Sequence, residues 1–311
     1  MNQTVRLPRL IEQLDEVGKF IGNTPLYPIN NAYHKDGIEI YAKLEWRQLG
    51  QSVKARPAYE IIREAILDEE LHPGKRLLDA TSGNTGIAYA SITAQLGIPL
   101  TICLPENASA ERKQILTALG AELVFTSPLE GTDGSQREAK RLAEERPDLY
   151  FYADQYNNPN NWKAHYRNTA REVYHQTYGR ITHFVTGLGT TGSFVGTGKK
   201  LREVNPEIKL VSLHPETSMH GLEGWKDMET AKVPGIYEPQ IADQQVRVST
   251  EEAYHWVKEI GKKEGMLVSP SSAANLAGAI KVAEQIDRGV IVTLFTDDAS
   301  KYGDVLQHLF S

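Results

Sequence analysis

At 311 residues, with 40% hydrophobic and 24% charged side chains, the chain has the balance of a folded globular protein, which excludes a disordered segment and a disulfide scaffold. Its formal charge is −6, from 34 basic and 40 acidic side chains, and no basic run marks a nucleic-acid footprint. No stretch approaches the ~20 apolar residues of a membrane span, and the opening MNQTVRLPRLIEQLDEVG lacks a signal core, so a cytoplasmic location is expected.

The length favours two α/β lobes over one, and no repeat or Pro/Ser-rich linker separates them. An early strand is read at Glu39–Glu45. From Pro57 to Glu70, Ala58, Ile61, Ile62, Ala65 and Ile66 recur on one helical face, with proline at the favoured first position. Arg76–Asp79 reads as a strand, followed by a Thr/Ser/Gly/Asn turn and an apolar helix, Ile87–Leu96, stopped at Gly97. The alternation continues: strand Leu100–Leu104, helix Ala110–Leu119, strand Glu122–Phe125, a charged helix around Glu138–Glu145, strand Leu149–Tyr152 and a helix near Trp162–Tyr178. His183–Thr186, Lys209–Leu213 and Val290–Phe295 are further buried strands. Strands alternating with helices predict parallel sheets covered by helices.

Two strand-to-helix loops fall beyond the carboxyl ends of strands, where ligands bind in parallel sheets. Gly187-Leu188-Gly189-Thr190-Thr191-Gly192-Ser193 offers backbone N–H groups and hydroxyls at a helix start, which suits a phosphate dianion; it is equally readable as a tight turn. It lacks the lysine of a nucleotide P-loop and the spacing of a dinucleotide fingerprint. Thr81-Ser82-Gly83-Asn84-Thr85-Gly86 suits a small carboxylate. Capping explains part of it, but six capping-type residues exceed what one helix requires. Lys54, in the loop Gly50–Arg56, meets a helix start, where the helix dipole disfavours its cation and favours an amine nucleophile; a solvated lysine is the plain alternative. Ser271 precedes Asn275-Leu276 and reads equally as a helix cap. The single cysteine, Cys103, reads as a buried strand residue, and His183, His214 and His220 lack metal-ligand spacing.

Together these loops resemble the cysteine synthase and cystathionine β-synthase family of pyridoxal-phosphate enzymes, over nearly the whole chain from Gly22-Asn23-Thr24-Pro25-Leu26 to Ser271-Ser272-Ala273. The likeness is closest to the cysteine synthase B subgroup, around Asp154-Gln155-Tyr156-Asn157-Asn158-Pro159 and Arg180–Val185. That resemblance implies a tryptophan synthase β-like fold of two lobes, each a mostly parallel twisted sheet flanked by helices. Residues 1–45 and 156–311 would form the large cofactor-binding lobe, and residues 46–155 a smaller mobile lobe. It further implies a homodimer and β-replacement: an activated serine (O-acetylserine or O-phosphoserine) and a sulfur donor give cysteine or an S-substituted cysteine through an aminoacrylate. An ammonia lyase or a cystathionine-forming condensation is the alternative on the same scaffold.

By the same resemblance Lys54 carries pyridoxal 5′-phosphate, Asn84 contacts its 3′-oxygen, and Gly189, Thr190, Thr191, Gly192 and Ser193 hold its phosphate. Ser271 faces the pyridine nitrogen, while Thr81, Ser82, Thr85 and Gln155 receive the substrate carboxylate. Three departures from the family's pattern are visible. Ala55 stands after the lysine where aspartate is usual. Gln48-Leu49-Gly50-Gln51 replaces an Asn-Pro-Gly-Gly run, and Gly221–Asp227 carries Lys226 where B-type relatives place arginines. Lys226 is read either as a cation for an anionic leaving group or donor, opposed by Glu223, or as an exposed loop lysine.

Overall fold

The alternating pattern folds into two parallel sheets. A computed structural model describes residues Gln3–Phe310, in the order α1 (Gln3–Gly18), β1 (Leu26–Ile29), β2 (Ile38–Leu44), α2 (Ala55–Leu67), β3 (Arg76–Ala80), α3 (Asn84–Leu96), β4 (Leu100–Pro105) and α4 (Ala110–Ala118). There follow β5 (Glu122–Thr126), α5 (Gly131–Glu145), β6 (Tyr150–Tyr152), α6 (Asn160–Ala164), a π-turn (His165–Thr169), α7 (Ala170–Gln176), β7 (His183–Gly187), α8 (Gly192–Val204) and β8 (Lys209–Pro215). The chain ends with β9 (Gln244–Val248), α9 (Thr250–Glu264), α10 (Pro270–Glu284), β10 (Gly289–Phe295) and α11 (Gly303–Phe310).

Two compact units result, one containing the chain as far as Gly22 together with Gln48–Asn161, the other Asn23–Arg47 together with the chain from Trp162 onward. In the first, four parallel strands run in the order β5-β4-β3-β6. β4 is buried along its whole length and β3 from its second residue, as parallel strands covered on both faces must be. The residues before Gly22, expected with the large lobe, belong here instead: α1 sets Leu10, Leu14 and Val17 into the core formed with Ile61, Ile62 and Ile92. Mixed charges along that segment hid an amphipathic helix. α2 begins at Ala55, so Pro57 is its third residue and not its first; its missing N–H still falls in the turn that has no intrahelical partner.

The second unit is a six-stranded sheet, β1-β2-β10-β7-β8-β9, parallel except for β1. On one face of the sheet, Ile40, Val211 and Phe295 form a core with Leu276 and its neighbours on α9 and α10. The single helix expected near Trp162–Tyr178 is interrupted by the π-turn, where His165 Nδ1 lies 2.9 Å from Thr169 Oγ1. Gly196 of α8 packs there so closely that a Cβ would strike the Trp162 carbonyl.

Strand order positions the functional loops. In the first sheet the chain runs outward through β3, β4 and β5 and returns to the far side of β3 as β6; in the second it runs through β7, β8 and β9 and returns beside β7 as β10. Such a reversal leaves a crevice beyond the carboxyl ends of the two strands that flank it. The loops after β3 and β6 stand at the first reversal, those after β7 and β10 at the second.

Candidate active site

At the first reversal the Thr81–Thr85 loop and Gln155 are brought together. Thr85 Oγ1 donates to Gln155 Oε1 at 2.7 Å, and Gln155 Nε2 donates to the Ala80 carbonyl at 3.3 Å. Gln155 is further held by Asn161, whose Nδ2 donates to its carbonyl at 2.6 Å. The N-cap of α3 is Gly83, which has no side chain to offer, so capping does not account for the polar run; Thr81 Oγ1 instead accepts from Gly83 N at 3.2 Å. Beneath the loop lies Asp79, a buried carboxyl following Leu77 and Leu78 in β3, accepting from Ala80 N at 2.8 Å and from Gln155 N at 3.4 Å. Burial raises its pKa to about 7, aided by the charge of Asp154, and the Ala80 amide, Tyr89 hydroxyl and Gln155 amide offset part of that rise. Sequence reading placed Asp79 in a strand but missed this role; a carboxylate within a buried apolar run was the available signal.

Lys54 is the N-cap residue of α2, half-buried, its amide donating to Ser52 Oγ at 3.3 Å. The preceding Gly50 and Gln51 both have left-handed backbone, at φ 79° and 51°. Gly50 lies against Ala88 of α3, so the lysine loop is seated on the helix that follows the Thr81–Thr85 loop.

At the second reversal the glycine-rich loop follows β7. Thr191 is buried at φ 72°, a conformation costly for a β-branched side chain, and its hydroxyl has no hydrogen-bond partner. A buried hydroxyl left unmet at a helix start, in a backbone held under strain, is the feature an anion would satisfy. The loop is also packed to leave no room for larger residues: a Cβ on Gly189 would strike the Gly224 carbonyl, and one on Gly187 the Trp225 indole. The Gly221–Asp227 segment therefore braces the loop, and Lys226 N donates to the Leu188 carbonyl at 2.7 Å. Lys226 itself is half-buried and Glu223 exposed. From α10, Asn275 Oδ1 accepts from Gly187 N at 2.7 Å while its Nδ2 donates to the Leu294 carbonyl at 2.6 Å, a clamp across β7 and β10 that sequence reading missed. These features fit a phosphorylated cofactor.

Ser271 does not cap α10. That role belongs to Ser269, which accepts from Ser272 N at 3.2 Å, and the buried Ser271 hydroxyl lies 3.0 Å from Thr296 Oγ1. Cys103 is buried in β4, its thiol pushed up to about 12 by burial, and so is inert as a nucleophile. His183, His214 and His220 pair with Thr182, Ser212 and the Leu222 amide, and burial lowers all three pKa values. Among the described residues no cluster of His, Cys, Asp and Glu could hold a metal, and no helix is long and apolar enough to cross a membrane.

Parallel sheets with polar loops at both chain reversals, one of them a strained turn with an unmet buried hydroxyl, fit an α/β enzyme that takes a small phosphorylated cofactor. The chain belongs to the family of pyridoxal-phosphate dependent enzymes, whose family model matches residues 17–297. It is 45% identical over 291 residues to a cysteine synthase of Aquifex aeolicus, covering 91% of this chain and 89% of that protein. To cysteine synthase B of Escherichia coli it is 37% identical over 284 residues, 91% and 92% of the two chains. The fold matches the crystal structure of a cysteine synthase from Entamoeba histolytica with a TM-score of 0.88 and 32% identity, over 94% of this chain and 90% of that one.

Proposed function

We propose that this protein is a cysteine synthase, which uses pyridoxal 5′-phosphate to replace the β-substituent of an activated serine with sulfur. The observation that carries the reading is the Gly189–Ser193 nest, whose buried and unmet Thr191 hydroxyl calls for an anion. Likeness to cysteine synthases along nine-tenths of the chain supplies the reaction.

In this reading Lys54 holds the cofactor through its amine, Asn84 meets the 3′-oxygen, and the amides and hydroxyls of Gly189, Thr190, Thr191, Gly192 and Ser193 hold the phosphate. Ser271 faces the ring nitrogen as a neutral hydroxyl, which unlike a carboxylate does not enforce a pyridinium and so disfavours transamination. Bound there, the cofactor supplies an electron sink for the carbanion left when the Cα–H bond breaks. Thr81, Ser82, Thr85 and Gln155 receive the substrate carboxylate and fix the Cα–H bond before the lysine. The freed Lys54 amine would remove that proton as general base as the β-group departs. Sulfur then adds at Cβ. Lys226 offers a cation to an anionic leaving group or donor. The same reading makes the protein a cytoplasmic homodimer acting on small molecules, which light scattering and cell fractionation test.

Lys54→Ala should abolish both cysteine formation and the visible absorbance of bound cofactor, and borohydride trapping of the wild type should label Lys54; retained turnover or a label elsewhere sinks the reading. A panel of O-acetylserine and O-phosphoserine against sulfide and thiosulfate identifies the substrates, and serine or threonine alone should give no keto acid. Equal losses for both serine esters in Lys226→Ala would remove that residue from leaving-group recognition.

A further inference from the structure

Four hydroxyls crowd the start of α10 and the end of β10, and their protons can be counted. Ser272 Oγ donates to the Asp297 carbonyl at 2.9 Å, an acceptor that leaves no alternative direction. Its oxygen accepts from Ser269 Oγ at 2.9 Å and from Asp297 N at 3.3 Å, which fills both lone pairs. Ser269 has thus given up its proton and accepts from Ser272 N. Two protons remain, those of Ser271 and Thr296. Thr296 Oγ1 has Ser271 Oγ at 3.0 Å, Asp297 Oδ1 at 3.3 Å and Ser272 Oγ at 3.3 Å, the last with its proton and both lone pairs already committed. The shorter contact is to Ser271, and Asp297 is already supplied at its other oxygen by the Tyr302 hydroxyl at 2.7 Å.

We propose that Thr296 is a positioning residue for the cofactor ring: its hydroxyl donates to Ser271, which commits the single Ser271 proton to the pyridine nitrogen. This rests on the reading of Ser271 as the residue that faces that nitrogen. With Thr296 donating, the Ser271 proton has one other neighbour in this cluster, Ser269 Oγ at 3.2 Å, which already accepts a backbone amide. Ser271 is therefore held as a donor, and a donor is matched to an unprotonated ring nitrogen. Were the chain to run the other way, from Ser271 through Thr296 to Asp297, Ser271 would present a lone pair and favour a protonated ring. Thr296 decides between the two because it alone of the pair reaches both Ser271 and Asp297. Its place follows from topology, since it leaves β10 at the reversal where the phosphate loop leaves β7.

The test compares wild type, Thr296→Val, Thr296→Ser, Ser271→Ala and the Ser271→Ala/Thr296→Val double variant as holoenzymes, measuring cofactor dissociation and the visible absorbance of the bound cofactor across pH. Thr296→Val should weaken cofactor binding about fivefold, the worth of one net hydrogen bond, and shift the pH at which the absorbance changes. Thr296→Ser should restore both, and the double variant should bind no more weakly than Ser271→Ala alone. If Ser271→Ala weakens binding while Thr296→Val changes neither readout, or if the two losses simply add, Thr296 does not act through Ser271 and the proposal falls. If Ser271→Ala itself leaves both readouts unchanged, the placement of Ser271 is wrong and the proposal falls with it.

Discussion

Asp79 lies 1% exposed in β3, and burial raises its carboxyl pKa from the ordinary 3.8 to about 7. In the folded protein it thus holds a proton that the unfolded chain releases near pH 4. A raised folded pKa contributes stability that is fully present below the unfolded value and is lost as pH rises through the folded one. The window therefore runs from about pH 4 to pH 7, and a rise of roughly three in pKa at about 1.4 kcal/mol each gives a loss of about 4 kcal/mol across it. Asp79→Asn keeps the shape without the ionisation. Relative to wild type, the variant should cost about 1 kcal/mol at pH 4, where it exchanges one neutral acceptor for another. By pH 8 it should be the more stable protein by a few kcal/mol. Urea denaturation of both proteins at pH 4, 6 and 8, followed by circular dichroism, measures the difference free of other titrating groups. A wild-type-to-variant difference that stays constant from pH 4 to pH 8 would refute the reasoning and mean that Asp79 is ionised throughout.

Gly189→Ala places a Cβ against the Gly224 carbonyl, so the purified variant should lose most of its bound cofactor, read from the visible absorbance, while the far-ultraviolet spectrum stays native. Thr85→Val breaks the 2.7 Å bond to Gln155 and removes a donor from the loop proposed to receive the substrate carboxylate, and should raise KM for the amino-acid substrate about tenfold or more with little change in KM for the sulfur donor. Lys43 is fully buried, donating to the Thr24 carbonyl at 2.9 Å and pairing with Glu172 at 2.7 Å; Lys43→Met strands that carboxylate and should cost about 3–5 kcal/mol in a denaturation titration. A Lys43→Met/Glu172→Leu double variant should recover part of the loss, because it is the unmatched charge that is costly.

Where side-chain periodicity and turn chemistry act locally, the sequence was legible. The buried strand Leu100–Pro105 stands within a residue of expectation and the helix closed by left-handed Gly97 ends where expected, though it starts three residues earlier, since an unbroken apolar run and a positive φ are properties of adjacent residues. The short strand Gln244–Val248 was not read, because it sets only Val246 and Val248 inward, too few apolar residues to mark a strand without its pairing to β8. The candidate loops were visible as polar, glycine-containing interruptions between apolar elements. Gln155 was reached by resemblance, but its grip on Thr85 spans 70 residues and no local pattern announces it.

Composition and spacing alone determined that this chain is a parallel α/β protein with a lysine at one helix start and a glycine-rich turn at another, because backbone conformation and hydrophobic period are set by near neighbours. Tertiary structure decided which of several polar loops matter. Only strand order puts the loops after β3 and β6, and those after β7 and β10, at chain reversals. Only packing shows that Ser269, and not Ser271, caps α10. The Asn275 clamp and the Thr296 hydroxyl reach their partners across 88 and 25 residues of chain, distances over which hydrogen bonds are fixed by the fold and leave no trace in the order of the residues.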